Sequence, residues 1–438
     1  VAWAALYQRQ ESLGKKCGAV DNAPMRVAML SYHTCPLATL GGKDTGGMNV
    51  YVRELTRELG RQGVGVDVFT RSQDEHVPHV LHDLGYGNRV VHVTAGPEVP
   101  LARPQLSEHL TQFVHGILDF ASAKGLHYDL IHSHYWLSGL AALELRQAWG
   151  VPIVHMFHTL AVMKERVARR PEEVEPSERH RAEIRLLREV DAVMVATRAE
   201  LAQFLWLYKV DTSNVTVIPP GVDTSHFYPI PLDEAREYVG VPPERKMVLF
   251  VGRIEPLKGI DTLLEAVALL KKQGFLKKCP LWLAIIGGEP DVDSERMTQE
   301  MARLKGMRQQ TGLDDSVTFL GSRSQDTLPY YYSAAEVVVV PSHYESFGLV
   351  ALEAMACGVP VVASETGGLV YLVKDGETGF HVPAGDAAAL AQRLKEVIED
   401  RALRARLGSQ AAEYARDYAW PVIAEKVQAL YRQLLSRN

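Results

Sequence analysis

Short apolar runs rich in valine and isoleucine alternate along this chain with stretches whose apolar residues recur at helical spacing. The runs at 26–31, 66–70, 89–94, 130–132, 152–156, 191–197 and 214–218 are too short for helices and predict buried strands. Between them, Val50, Leu55 and Leu59 share one face of a helix predicted over 49–62, and further helices are expected at 107–124, 137–149 and 199–208. Residues 162–187 are charged and helical, broken at Pro171 and Pro176, and most of their Arg and Glu side chains suit a solvated face with i,i+4 pairs. Pro219-Pro220-Gly221 stops this alternation, and the extended segment 222–231 reads as a linker.

A second alternation follows. Strands are expected at 247–251, 281–287, 316–320, 337–340 and 359–363, with an edge strand at 380–382. Helices are expected at 260–273, 294–311, 325–334, 349–357, 386–399 and 401–417; Trp420-Pro421 then interrupts before a last helix at 422–436. Two βα alternations of similar size predict an α/β protein with two Rossmann-like domains facing a cleft. Met25-Arg26-Val27 reads as the start of the first, which runs over 25–219, with 1–24 a leader outside the fold; the second covers 220–419.

Candidate chemistry clusters just after strand ends, the ligand edge of a doubly wound sheet. Residues 337–368 form a strand–loop–helix–strand–loop unit with two carboxylates. Glu345 lies in the loop at the strand's end. Glu353 is eight residues on, about two turns into an apolar helix, where a buried acid needs a partner. The loop's backbone N–H groups at a helix N-terminus suit a phosphate, and carboxylates suit hydroxyls; a nucleotide-sugar has both. A sheet-edge loop with a solvated Glu fits the same residues. Arg253 and Lys258, between a strand and a helix start, match a diphosphate; a surface salt bridge to Glu255 is the plain alternative for these cations. In the loop 32–48, Gly41-Gly42 and Gly46-Gly47 permit close backbone approach to a ligand, as they would in a plain surface loop; the spacing is not that of a dinucleotide site. His132, His134, His155 and His158 alternate with apolar residues at strand period and do not all point one way. Structural or sugar-contacting roles therefore rank ahead of a metal site.

Composition narrows the classes. The 438 residues are 47% hydrophobic and 23% charged with a net charge of −6, which speaks for a globular protein and against non-specific nucleic-acid binding. Four scattered cysteines, Cys17, Cys35, Cys279 and Cys357, lack zinc or disulfide spacing and fit a reducing cytoplasm. No apolar run is long enough to predict a transmembrane helix.

The setting PSHYESFGLVALEAMACGVPVVAS, together with GGMNVYV and the GR…KG pair, resembles the retaining glycosyltransferases of family 4, which have the GT-B fold. The resemblance spans Met25 to about Trp420. It implies that 220–419 holds a nucleotide-sugar, that 25–219 holds the acceptor, and that 420–438 packs back on the N-terminal domain. It implies diphosphate contacts from Arg253 and Lys258, ribose contacts from Glu353 and sugar contacts from Glu345. Backbone N–H groups of Phe347, Gly348 and Leu349 would support sugar and phosphate, Arg323 would border the base, and Gly46 and Gly47 would approach the diphosphate across the cleft. Arg253, Lys258, Glu345 and His158 would form the catalytic set, His158 as a sugar contact rather than a base.

HSHYWLSG, FHTLAVMK and AGP look like the mycothiol-pathway branch, which transfers N-acetylglucosamine to inositol phosphate. Its acceptor-phosphate residues carry over as Tyr135, Thr159 and Arg179, with His33 and Asn49 near the cyclitol. Arg103 stands where that branch has lysine, which keeps charge and changes geometry. The segment after Met163 departs from the branch's pattern and loosens the alignment at Arg179. The resemblance implies a UDP-sugar donor and retention, for which same-face attack is preferred; no cofactor or metal is required, and closure of the cleft by hinge motion near 219–222 and 420 is a hypothesis. Magnesium is not implied, and a homo-oligomer stays open. Two alternatives remain: a sucrose-phosphate synthase-like glucosyltransferase acting on fructose 6-phosphate, and a non-catalytic sugar-nucleotide-binding protein.

Overall fold

The computed structural model describes residues 24–38, 46–167, 176–288 and 299–437, the side chains of Arg103 and Pro104 excepted. Gly41-Gly42, Pro171, the first residues of the helix expected at 294–311, and all of the leader but Pro24 lie outside the described residues.

Among the described residues the strands form two sheets. The first contains β1 (Arg26–Leu30), β2 (Gly65–Arg71), β3 (Val80–Leu81), β4 (Arg89–Val93), β5 (Leu130–His134), β6 (Ile153–Met156), β7 (Ala192–Val195) and β8 (Val215–Val217). Their order is β3-β4-β2-β1-β5-β6-β7-β8. The second contains β9 (Lys246–Val251), β10 (Leu281–Ile286), β11 (Val317–Gly321), β12 (Val337–Val340), β13 (Val361–Ser364) and β14 (Gly379–Val382), in the order β11-β10-β9-β12-β13-β14. Every pairing is parallel except β3 with β4. Helices cover both faces, so the central strands are buried on both sides and read as continuous apolar runs. The fold is thus α/β with two doubly wound sheets, as the alternation predicts.

The differences have local causes. The two-residue β3 carries no periodicity for a sequence to show. The helix expected at 199–208 is α-helical over Arg198–Gln203 and then loosens into a π turn, Phe204–Tyr208. A helix over Leu232–Val239, closed by the left-handed Gly240, falls just after the linker and was not expected. At the predicted edge, β14 pairs with β13.

The chain crosses between the two sheets twice, and the crossings lie side by side. The Val222 N–H donates to Tyr418 O at 2.8 Å, and the Trp420 N–H donates to Val222 O at 3.2 Å. A Cβ at Gly221 would fall 2.6 Å from the Trp420 ring, so glycine is needed there for the approach. Pro421 suits the first turn of the last helix, Trp420–Leu435, because it has no N–H to leave unpaired. That helix packs back on the helix Gly47–Arg61: Gln428 Nε2 donates to Gln62 Oε1 at 2.7 Å, and Gln62 Nε2 to Pro421 O at 3.1 Å. The Trp420 ring is buried, 5.5 Å from that of Tyr51.

Truncating Trp420 empties the joint between the crossings. Trp420→Ala is expected to cost about 3–5 kcal/mol, as other buried aromatic deletions do. The denaturant midpoint should fall accordingly; an unchanged midpoint would show that the joint does not bear on stability.

Candidate active site

The strand order of each sheet reverses once, between β1 and β5 and between β9 and β12. At such a point the loops after the strands part and leave a crevice. Residues after all four strands line one cleft of about 350 Å³: His33, Tyr135, Arg253 and Glu345, with Gly46, Gly47, Asn49, His158, Thr159, Lys258, Arg323, Phe347, Gly348, Leu349 and Glu353. Fifteen of the seventeen residues singled out in the sequence therefore share one wall-to-wall space.

On the C-terminal side, Lys258 Nζ pairs with Glu345 Oε2 at 2.6 Å, both side chains less than a fifth exposed. Arg253 Nη1 meets Glu255 Oε1 at 2.9 Å, the pairing the sequence left open, and still lines the cleft. Gly348, at φ 105°, opens the helix Leu349–Ala356. Glu353 is therefore about one turn into this helix, not two. Behind the Glu345 loop, a Cβ at Gly367 would fall 1.9 Å from Glu345 O and one at Gly368 2.3 Å from Ser346 O. The Gly368 N–H donates to Glu345 O at 2.8 Å, so the two glycines set the height of the loop. Arg323 donates from Nε to Tyr331 Oη at 3.0 Å and from Nη1 to Ser322 O at 3.1 Å.

From the opposite wall, Gly47 reaches the C-terminal helix: a Cβ there would lie 3.0 Å from Leu349 Cδ1. Asn49 fixes this approach. Its Oδ1 accepts from the Gly46 N–H at 2.9 Å, and its Nδ2 donates to Thr34 Oγ1 and Cys35 O, both at 2.7 Å. Tyr135 and His158 hold left-handed backbone, φ 73° and 62°. Such conformations cost about 1–3 kcal/mol and gather at ligand sites. The His33 ring lies 4.4 Å from that of Tyr135. Arg179 is buried behind this wall rather than lining it. It donates from Nε to Glu183 Oε1 at 2.8 Å, from Nη1 to Tyr135 Oη at 3.3 Å, and from Nη2 to Thr159 O at 2.6 Å and Oγ1 at 3.1 Å. The structure thus joins Tyr135, Thr159 and Arg179, while the Arg103 side chain lies outside the described residues. His134 and His158 pair, His132 lies beside His134, and His155 turns to Ser133. Among the described residues no group of His, Cys, Asp and Glu is arranged to hold a metal ion.

Two family models match the chain, "Glycosyltransferase Family 4" over 45–226 and "Glycosyl transferases group 1" over 233–414. Curated relatives named D-inositol 3-phosphate glycosyltransferase are similar over nearly their whole length. That of Kineococcus radiotolerans is 41% identical, over 94% of this chain and 96% of its own; that of Actinosynnema mirum is 40% identical, over 93% and 97%. The chain belongs to glycosyltransferase family 4. Among solved structures, the sucrose-phosphate synthase of Thermosynechococcus elongatus superimposes with a TM-score of 0.85 at 37% identity, over 94% of this chain and 100% of that one. A glycosyltransferase of Rickettsia africae, 19% identical and with a TM-score of 0.70 over 94% and 99%, shares the fold. The GT-B architecture and glycosyltransferase activity expected from the motifs both hold. Among the described residues no helix is long and apolar enough to cross a membrane.

The cleft of this glycosyltransferase contains groups that sequence reasoning passed over. Lys164 lines it from a stretch read as a solvated face. Glu200 lines it too, buried, its Oε2 accepting from the Ala196 N–H at 2.9 Å while Thr197 Oγ1 accepts from the Glu200 N–H. The Thr197-x-x-Glu200 spacing of a helix-capping box was the available signal. Tyr332, which donates to Glu353 Oε2 at 2.7 Å, left none: it reads as one more core aromatic.

Burial pushes the Glu353 carboxyl up to about 7, against the Tyr332 hydroxyl and the Arg53 charge, which pull it down. Its folded value thus lies above the ordinary carboxylate range. The stability this group contributes is present at low pH and falls as pH rises from the unfolded value through about 7. Glu353→Gln keeps an acceptor for Tyr332 and removes the buried charge. The variant is expected to gain on the order of 2–3 kcal/mol at about pH 8 and little at about pH 5, while binding a nucleotide-sugar more weakly. Thermal melts at both pH values check this; a variant no more stable than its parent at the higher pH would refute it.

Proposed function

We propose that this glycosyltransferase moves glucose or N-acetylglucosamine from a UDP-sugar, with retention, to a phosphorylated polyol, inositol phosphate foremost. The observation that carries this reading is one cleft with two chemistries. Its C-terminal wall has Arg253 and the Lys258–Glu345 pair beside the N-terminal end of a helix. Its N-terminal wall has Tyr135 and Thr159, backed by the Arg179 guanidinium. The first suits a diphosphate and sugar hydroxyls, the second an acceptor phosphate.

In the proposed reaction the bond from the anomeric carbon to the diphosphate oxygen breaks through an oxocarbenium-like transition state. Negative charge grows on the leaving diphosphate, where Arg253, Lys258 and the backbone N–H groups at Phe347–Leu349 stabilise it. The acceptor hydroxyl attacks on the face the leaving group vacates and gives its proton to the departing phosphate. Glu345 holds the sugar's hydroxyls, Glu353 the ribose and Arg323 the base side. Gly46 and Gly47 close over the diphosphate, and His158 contacts the sugar. On the acceptor, His33 and Asn49 face the ring, and Arg103 joins Tyr135 and Thr159 at the phosphate, with Arg179 supporting those two from behind. By this reading 25–219 with the last helix is the acceptor domain, and 220–419 is the donor domain.

The 37% identity and TM-score of 0.85 to a sucrose-phosphate synthase favour a second reading, transfer of glucose to fructose 6-phosphate. UDP-glucose and UDP-N-acetylglucosamine, each incubated with inositol 1-phosphate and with fructose 6-phosphate, decide between them by product mass. Each diphosphate donor is expected to contribute about 3 kcal/mol, so Lys258→Ala or Arg253→Ala should lower kcat about 100-fold or more. Tyr135→Phe should raise the acceptor KM and leave the donor KM unchanged. Full transfer activity in Lys258→Ala would sink the donor assignment.

A further inference from the structure

A row of polar rings runs from the last helix to the cleft. Tyr431, wholly buried on Trp420–Leu435, places its Oη 2.6 Å from His132 Nδ1. His132 and His134 project from the same face of β5, their ring centroids 4.3 Å apart. His134 Nδ1 lies 3.0 Å from His158 Nε2, and His158 lines the cleft. Tyr51 packs edge-on against both, 5.6 Å from His134 and 5.2 Å from His158. Glycosyl transfer, as derived above, uses only the last ring of this row.

The hydrogen-bond accounting of the row chooses a tautomer. Burial holds all of these imidazoles neutral, so each ring has one N–H and one bare nitrogen. Only one proton can lie between His134 Nδ1 and His158 Nε2. If His158 supplied it, the proton of His134 would sit on its Nε2, which is buried and without a partner among the described residues. An N–H stranded there costs its full desolvation, and stranded donors are rarer in folded proteins than under-used acceptors. If His134 supplies it, the stranded Nε2 is a bare acceptor. The same choice serves His132 and His155. Each has its Nδ1 bonded, to Tyr431 and Ser133, and its Nε2 unpartnered among the described residues.

We propose that His134 is a positioning residue: its Nδ1–H donates to His158 Nε2 and so fixes His158 as the tautomer protonated at Nδ1. His158 then offers the cleft an N–H donor for a sugar oxygen and has no basic nitrogen to spare, because its bare nitrogen is occupied by His134. This inference rests on the reading that His158 contacts the transferred sugar.

Nitrogen-15 spectra of the histidine-labelled whole protein test it directly. His158 is assigned by loss of its signals in His158→Gln, and two-bond couplings show which ring nitrogen bears the proton. Protonation at Nδ1 is expected; protonation at Nε2 overturns the proposal without any variant of His134. In kinetics with the donor and acceptor that turn over, His134→Leu is expected to lower kcat about 10- to 100-fold, the size of loss seen when a hydrogen-bond partner that orients a metal-binding histidine is removed. Its donor KM should change little. His134→Asn, whose amide N–H stands near the lost Nδ1–H, should recover most of the rate. A His134→Leu protein with parental kcat, or an Asn variant no better than Leu, refutes the positioning role. The underlying reading fails separately: if His158→Gln transfers sugar at the parental rate, His158 does not contact the sugar, whatever its tautomer.

Discussion

Where the strand order of a parallel sheet reverses, neighbouring crossovers leave on opposite faces and the loops between them separate. Nearly everything in this protein's cleft hangs from that constraint, applied twice. His33 follows β1, Tyr135 ends the turn after β5, Arg253 follows β9 and Glu345 follows β12. These are the four strands at the two reversals. The crevices face one another because the chain crosses beside itself at Val222 and Ala419 and because the last helix ties back to the first half. The lining of the cleft is therefore a product of topology: no two of those four residues are near in sequence.

Several polar groups at the cleft are buried, and each of these is held by a specific partner. Arg179 is buried with its guanidinium spread over Glu183, Tyr135 and Thr159, a geometry that keeps the charge while orienting two ligand-facing hydroxyls. Glu353 is steadied by Tyr332 and Lys258 by Glu345. The cost of such burial shows in opposing titrations. His132, His155 and His158 are pushed down to about 3, so the stability tied to their neutral forms is lost as pH falls below the ordinary histidine range. Glu353 and Glu200, pushed up to about 7, act in the opposite sense over an overlapping window.

The last helix does more than cover a sheet. It brings Trp420 against Tyr51 and Tyr431 against His132, so the element beside the chain crossings also supports the row of rings behind the cleft. Apolar packing is continuous from β1 through this helix to the strands of the second sheet.

The order of strands and helices, the break at Pro219-Pro220-Gly221 and the Glu345–Glu353 unit were determined by sequence alone, because each rests on local periodicity or backbone chemistry. So was the placing of most candidate residues in loops after strand ends, which the structure gathers along one cleft. Tertiary structure decided the pairings. Lys258 meets Glu345 rather than Glu255, Glu353 meets Tyr332, and Arg179 stands behind the acceptor wall instead of in it. Glu200 and Lys164 enter the cleft from a stretch read as a plain helix and from one read as a solvated face. Periodicity says which face of an element a side chain occupies. Which partner it finds there depends on how distant segments pack, and that information is held only in the folded chain.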